Sequence, residues 1–151
     1  MRSSDENRAG DFAWQGFHHV AVVTTDLDAT LRFYGDVLGM DVGEFMNLDA
    51  RGGAARHCFV RTGGTESWGL HFFEARDARD TDDTRSGFGF DSVGPHHMAF
   101  GLPDEAAGIA LRQRLEQNGI EATPIGDAGP VRNTLFLDNN GLLLEAAWPI
   151  A

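Results

Sequence analysis

One cysteine and one tyrosine stand in a chain of 151 residues, and no apolar run approaches the length of a membrane span. The single thiol, Cys58, excludes an internal disulfide and suits a reducing compartment, so the cytoplasm is the expected location. Basic residues are scarce too: 12 Lys and Arg face 23 Asp and Glu, a formal charge of −11. A field of that sign repels phosphate backbones and anionic lipid headgroups, which argues against nucleic acid or a membrane as partner. The opening "MRSSDENRAGDF" has no apolar core of the signal-peptide kind, and residues 1–13 are expected to form a mobile polar tail.

What the chain does have is an ordinary globular supply, 42% hydrophobic and 23% charged residues, enough for one core. It also writes one phrase twice. "GFHHVAVVTTD" (Gly16 to Asp26) returns without a gap as "GPHHMAFGLPD" (Gly94 to Asp104). A helix signal follows each copy. Asp26 is a good N-cap before "LDATLRFYGDVLGM", with Leu31, Tyr34, Val37 and Leu38 at helical spacing and Gly39 placed to stop it. Asp104 or Pro103 opens "EAAGIALRQRLEQNGI", which carries Ile109, Leu111 and Leu115 and ends at Gly119. Strand candidates come next: "VGEFMN", "RHCFVR" and "WGLHFFEA" in the first half, "IEATPI", "RNTLFL" and "LLLEAAW" in the second, with a turn at "DNNG" (Asp138 to Gly141). The chain therefore divides into a first βαβββ module at 14–75, an acidic linker or flap at 76–93, and a second βαβββ module at 94–151. The fold class is α+β.

Metal-ligand residue types mark the ends of both halves. His19 opens the first and His71 lies on its last strand; His97 opens the second and Glu145 lies on its last strand. If the first and last strands of each half are neighbours, two ligands per half converge at a pseudo-symmetric seam. Strand alternation puts His19 and Ala21 on that face and His18, Val20 and Val22 on the other. A lone strand histidine is ordinarily a core or rim residue, but a carboxylate inside "LLLEAAW" needs a cation or a hydrogen-bond partner. Three imidazoles and a carboxylate at repeat-matched positions point to a divalent metal site. His18, His57 and His96 are assigned supporting or structural roles. His57 and Cys58, adjacent on one strand, face opposite ways and make a poor nucleophile–base pair.

The segments "HHVAVVTTDLDATLRFYGDVLGM", "HHMAFGLPDEA" and "DNNGLLLEAAW" resemble the vicinal oxygen chelate superfamily, which includes glyoxalase I, extradiol dioxygenases, methylmalonyl-CoA epimerase and the fosfomycin and bleomycin resistance proteins. The resemblance covers nearly the whole chain after residue 15. It implies paired βαβββ modules forming an open, cup-like mixed sheet around a metal, helices on the outer face, and often a homodimer. It matches His19 and His97 to the first-strand ligands and Glu145 to the final-strand carboxylate. His71 takes the fourth position, where subfamilies differ.

Two histidines and a carboxylate with open positions are the set expected for non-haem Fe(II) oxygen chemistry. On that reading the protein is an extradiol-like ring-cleaving dioxygenase, with His71 as an acid/base residue. The relatives commonly carry a tyrosine on the strand before the final glutamate, where this chain has "NTLFLDNNG"; Tyr34 is expected to pack on a helix. With His71 as a fourth ligand the centre suits Zn, Ni, Co or Mn, and a glyoxalase-like lyase or isomerase in which Glu145 shuttles the proton. A third reading is a binding protein of the bleomycin-resistance type, with a cleft lined by Trp68, Phe73, Phe88, Phe90 and Trp148. The substrate expected is a small aromatic or hydrophobic molecule.

Overall fold

The computed structural model describes residues 18–50, 53–63, 69–75 and 97–150. The tail, the linker and Trp68, Phe88, Phe90 and His96 lie outside the described residues.

Each half begins the same way. β1 (His19–Thr24) buries Val22 and Thr24 and exposes Ala21 and Val23, the alternation of a strand with one face on a core. Asp26 then accepts a hydrogen bond from the Ala29 N–H at 2.8 Å and caps α1 (Leu27–Arg32). The helix widens into a π-helical segment over Phe33–Val37, and Gly39, at φ 73°, turns the chain out. In the second half β6 (Met98–Gly101) leads to Asp104, which accepts from the Ala107 N–H and caps α2 (Glu105–Gln117). Gly119, at φ 72°, ends that turn.

The first half supplies β2 (Asp41–Val42), β3 (Met46–Ala50), β4 (Gly53–Arg61) and β5 (Gly69–Glu74), in a sheet ordered β1-β5-β4-β2 with β3 also on β4. The second supplies β7 (Gly126–Ala128), β8 (Val131–Leu137) and β9 (Leu143–Pro149), ordered β6-β9-β8-β7. In both, the first strand pairs in parallel with the last while the remaining pairings are antiparallel, so both sheets are mixed.

Two strands differ from expectation. "VGEFMN" is split between β2 and β3, because Gly43 turns its N–H to the Phe59 carbonyl at 2.8 Å, where a Cβ would sit 3.1 Å from that oxygen. "IEATPI" forms one isolated bridge, Ala122 to Phe136: Pro124 has no N–H to give a ladder, and β7 starts only at Gly126.

α1 packs on the first sheet and α2 on the second. Residues on these helix-facing sides form one core, in which Leu31, Tyr34, Val60 and Phe72 of the first half join Leu115, Phe136, Leu144 and Trp148 of the second. Trp148 lies over Gly108, where an added Cβ would come within 2.5 Å of the indole, so this tryptophan is core and not a cleft wall. Cys58 is buried on the same side.

A polar bracket fastens one half to the other. The turn at Asp138–Gly141 reaches the start of α1: Thr24 Oγ1 donates to Asn140 Oδ1 at 2.8 Å, and Asn139 Nδ2 donates to Thr30 Oγ1 at 3.0 Å. Asp138 closes its own turn by accepting from the Asn140 and Leu142 N–H groups, both at 2.8 Å. Its other oxygen accepts from the Tyr34 hydroxyl at 2.9 Å. Burial, together with the Asp138 carboxylate, pushes the Tyr34 phenol far above its ordinary pKa, so it stays a donor.

Tyr34→Phe removes one partner of a buried carboxylate while keeping the ring. We expect urea unfolding to show a loss of about 1–3 kcal/mol. An unchanged midpoint would mean that the bond adds nothing net to the docking of the halves.

Candidate metal centre

The parallel pairing of first and last strands places the candidate residues. In the first sheet Ala21 is opposite His71 and His19 is one pleat back, opposite Gly69. In the second, Ala99 is opposite Glu145, and His97 immediately precedes β6. Both halves thus present a histidine, an alanine two residues on, and a final-strand His or Glu beside that alanine, all on the face turned away from the helix.

Two pairs result. The His19 and His71 rings lie edge to face with centroids 5.5 Å apart. His97 Nε2 approaches Glu145 Oε2 at 2.5 Å. Among the described residues no three His, Cys, Asp or Glu side chains come together closely enough to hold a metal ion. The four predicted residues are therefore brought together two by two, one pair on each sheet.

The donor chemistry of each pair fits a divalent cation. His97 and Glu145 already aim a nitrogen and an oxygen at one another, a contact that a shared proton holds. A divalent ion held by both would take the place of that proton. His18 Nδ1 lies 2.8 Å from His19 Nδ1, which engages that nitrogen of His19 and leaves Nε2 as its other donor atom.

Two neighbours of the site were not given these roles by sequence. Asn133 on β8 donates from Nδ2 to Glu145 Oε1 at 2.8 Å, which orients the carboxylate and leaves Oε2 for His97. It stands on the strand where the resembled dioxygenases carry tyrosine, and the only signal for it was a polar residue two positions before Leu135, the β8 partner of Glu145. His57, assigned a lesser role, shares the His71 face through the pairing of β4 and β5, with its Nδ1 2.6 Å from His71 Nε2. Cys58, as expected, takes the opposite face.

His71 is walled by rings. Phe59 stacks on it at 3.8 Å and 18°, and Phe73 lies 4.1 Å away. Burial first, then repulsion from His57 and His19, lowers its pKa to about 4. At neutral pH it is uncharged. The unfolded chain takes up the same proton near pH 6.5, so acid favours unfolding through this group. Its contribution is intact above about pH 6.5 and falls away as pH drops toward 4. We expect an NMR titration of the metal-free protein to place the His71 midpoint near 4, and His71→Gln to flatten the loss of stability across that interval; a midpoint near 6.5 would contradict the buried environment.

Residues 16–146 match the model of the Glyoxalase/Bleomycin resistance protein/Dioxygenase superfamily. No curated protein sequence matches the chain. Among solved structures, a glyoxylase/bleomycin resistance protein/dioxygenase domain from Frankia sp. EAN1pec is similar at 21% identity and TM-score 0.67, over 91% of this chain and 94% of that one. The fosfomycin resistance protein FosX from Listeria monocytogenes, complexed with Mn(II) and sulfate ion, aligns at 17% identity and TM-score 0.63, over 91% and 95% of the two chains. TnmS3, an antibiotic binding protein from Streptomyces sp. CB03234, aligns at 13% identity and TM-score 0.59, over 92% and 99%. These likenesses carry the fold. The family match, spanning the paired first and last strands of both halves, places this chain in the glyoxalase/bleomycin resistance/dioxygenase superfamily.

Proposed function

We propose that the protein is a divalent-metal enzyme of the cytoplasm that acts on a small aromatic or hydrophobic molecule gripped through two adjacent oxygens. The leading reaction is extradiol-like ring cleavage by O2. His19, His97 and Glu145 would hold Fe(II), and His71 would stand beside it as the acid/base residue. The observation that carries this reading is the contact between His71 Nε2 and His57. It holds His71 by one ring nitrogen and leaves the other to meet a substrate; the remaining two histidines and one carboxylate are a set with open positions for a chelating substrate and O2. A bound Fe(II) would supply the means to engage O2 and two substrate oxygens together. The chain's own residues do the rest. Asn133 orients Glu145, the ring wall of Phe59 and Phe73 keeps water from His71, and His71, neutral at pH 7, stands as the acid/base residue beside the substrate oxygens.

The two pairs belong to different sheets whose helix-facing sides share one core, which supports a site completed by a second copy of the chain. In such a homodimer the first-half pair of one chain meets the second-half pair of its partner. Mixing tests this. His19→Ala and Glu145→Ala chains, each unable to retain metal alone, should regain about a quarter of the wild-type metal content when equal amounts are unfolded and refolded together, since half the dimers are mixed and each mixed dimer has one intact site. No recovery would mean that each chain builds its own site.

Anaerobic purification without a chelating tag, followed by elemental analysis, is expected to find iron. Zinc, nickel, cobalt or manganese would favour the alternative, a glyoxalase-like lyase or isomerase with His71 as fourth ligand. Failure to retain or take up any of these metals would favour a binding protein. Glu145→Ala and His97→Ala should each abolish metal retention with little change in far-ultraviolet circular dichroism, and full occupancy in both would sink the ligand assignment. His71→Ala should keep the metal and lose turnover.

A further inference from the structure

His57 is one of the most buried polar residues described, 4% exposed, and beyond its contact with His71 the chemistry above leaves its proton and its second nitrogen unassigned. Its ring lies nearly parallel to Phe73, with centroids 5.3 Å apart and planes 11° from parallel. One nitrogen, Nδ1, is 2.6 Å from His71 Nε2. The other, Nε2, is buried with no hydrogen-bond partner among the described residues.

With both rings neutral, one N–H lies between them, and it belongs to one ring or the other. If His71 donates from Nε2, then His57 must carry its own proton on Nε2, a buried N–H with nothing to receive it. If His57 donates from Nδ1, its Nε2 holds only a lone pair. Orphaned buried N–H donors are the rarer and costlier defect, so the second arrangement is favoured. It has a further consequence. His71 accepts on Nε2 and therefore carries its own proton on Nδ1, an atom not stranded without contact as His57 Nε2 is.

We propose that His57 is the positioning residue of His71: by donating from Nδ1 it fixes the His71 proton on Nδ1 and holds that ring in one plane. The inference rests on His71 being part of the site, as proposed above. It makes Nδ1–H the group through which His71 donates to a substrate oxygen, because the ring's one lone pair, on Nε2, is taken by His57 and kept away from any bound ion. The alternative proton arrangement frees the Nδ1 lone pair and so permits a fourth ligand, which makes the state of this one hydrogen bond the point of division between the two enzyme readings.

The test is long-range 1H–15N NMR on the full-length, metal-free protein. The expected result is the Nδ1–H tautomer at both His57 and His71, with nitrogen–nitrogen coupling across the bond. Nε2–H tautomers at both would overturn the proposal. His57→Phe keeps an aromatic ring against Phe73 but removes the donor, and should free the His71 proton from its fixed place on Nδ1, so that the two ring nitrogens show averaged shifts. His57→Asn, whose side-chain amide can donate from near the Nδ1 position, should restore that placement. An unchanged His71 tautomer in His57→Phe would also overturn the proposal. Should that variant not fold, the wild-type tautomers and coupling decide alone. Because these signals come from the metal-free chain, they stand apart from the metal retention of Glu145→Ala and His97→Ala, on which the ligand assignment depends.

Discussion

The parallel ladder between the first and last strands of each half is the constraint from which the site follows. Side chains one pleat apart on neighbouring strands lie within reach of each other, and the ladder fixes which residues those are. Sliding either final strand by one residue would send His71 or Glu145 into the helix-facing core and bring Phe72 or Ala146 out. The apolar residues on either side prevent that slip: Leu70 and Phe72, Leu144 and Ala146 are all buried. The same packing that stabilises each sheet thereby holds His71 and Glu145 in register, with His97 standing just before β6.

Around that frame, polar groups are settled in two tiers. Toward the core, Glu74 accepts from the Leu27 N–H at the start of α1 and from Arg56, and Asp138 is held by Tyr34 and its own turn. Toward the open face, Glu145 is shared by Asn133 and His97, and His71 is held by His57. The first tier satisfies buried groups within one chain. In the second, His57 Nε2 lies buried with no hydrogen-bond partner among the described residues, so this tier is less fully satisfied than the first.

Much of this was legible in the sequence. The duplicated "HH" phrase, Asp26 and Asp104 ahead of their helices, and Gly39 and Gly119 after them rest on local chemistry, and local chemistry decides caps and turns. The diagonal of His19 with His71 and of His97 with Glu145 was readable because a repeat shows its own register by comparison with itself. What was not readable depended on partners distant in sequence. The antiparallel alignment of β4 on β5 brings His57 against His71, and no spacing in "RHCFVR" announces it. Nor could apolar pattern show that Gly43 would interrupt one strand, that Pro124 would reduce another to a single bridge, or that Trp148 would lie in the core over Gly108.

The bracket of Thr24, Thr30 and Tyr34 around the Asp138–Gly141 turn also bears on how the duplication has aged. An ancestral half standing alone could have paired with an identical copy. The present halves have lost that freedom, because the first supplies the hydroxyls and the second supplies the amides and carboxylate that meet them. Neither has a self-complementary surface at this seam. Two first halves placed together would leave hydroxyls facing hydroxyls, and two second halves would set a buried carboxylate against its twin. The repeat survives as a pattern of strands, while the seam joins unlike groups, hydroxyls from the first half with amides and a carboxylate from the second.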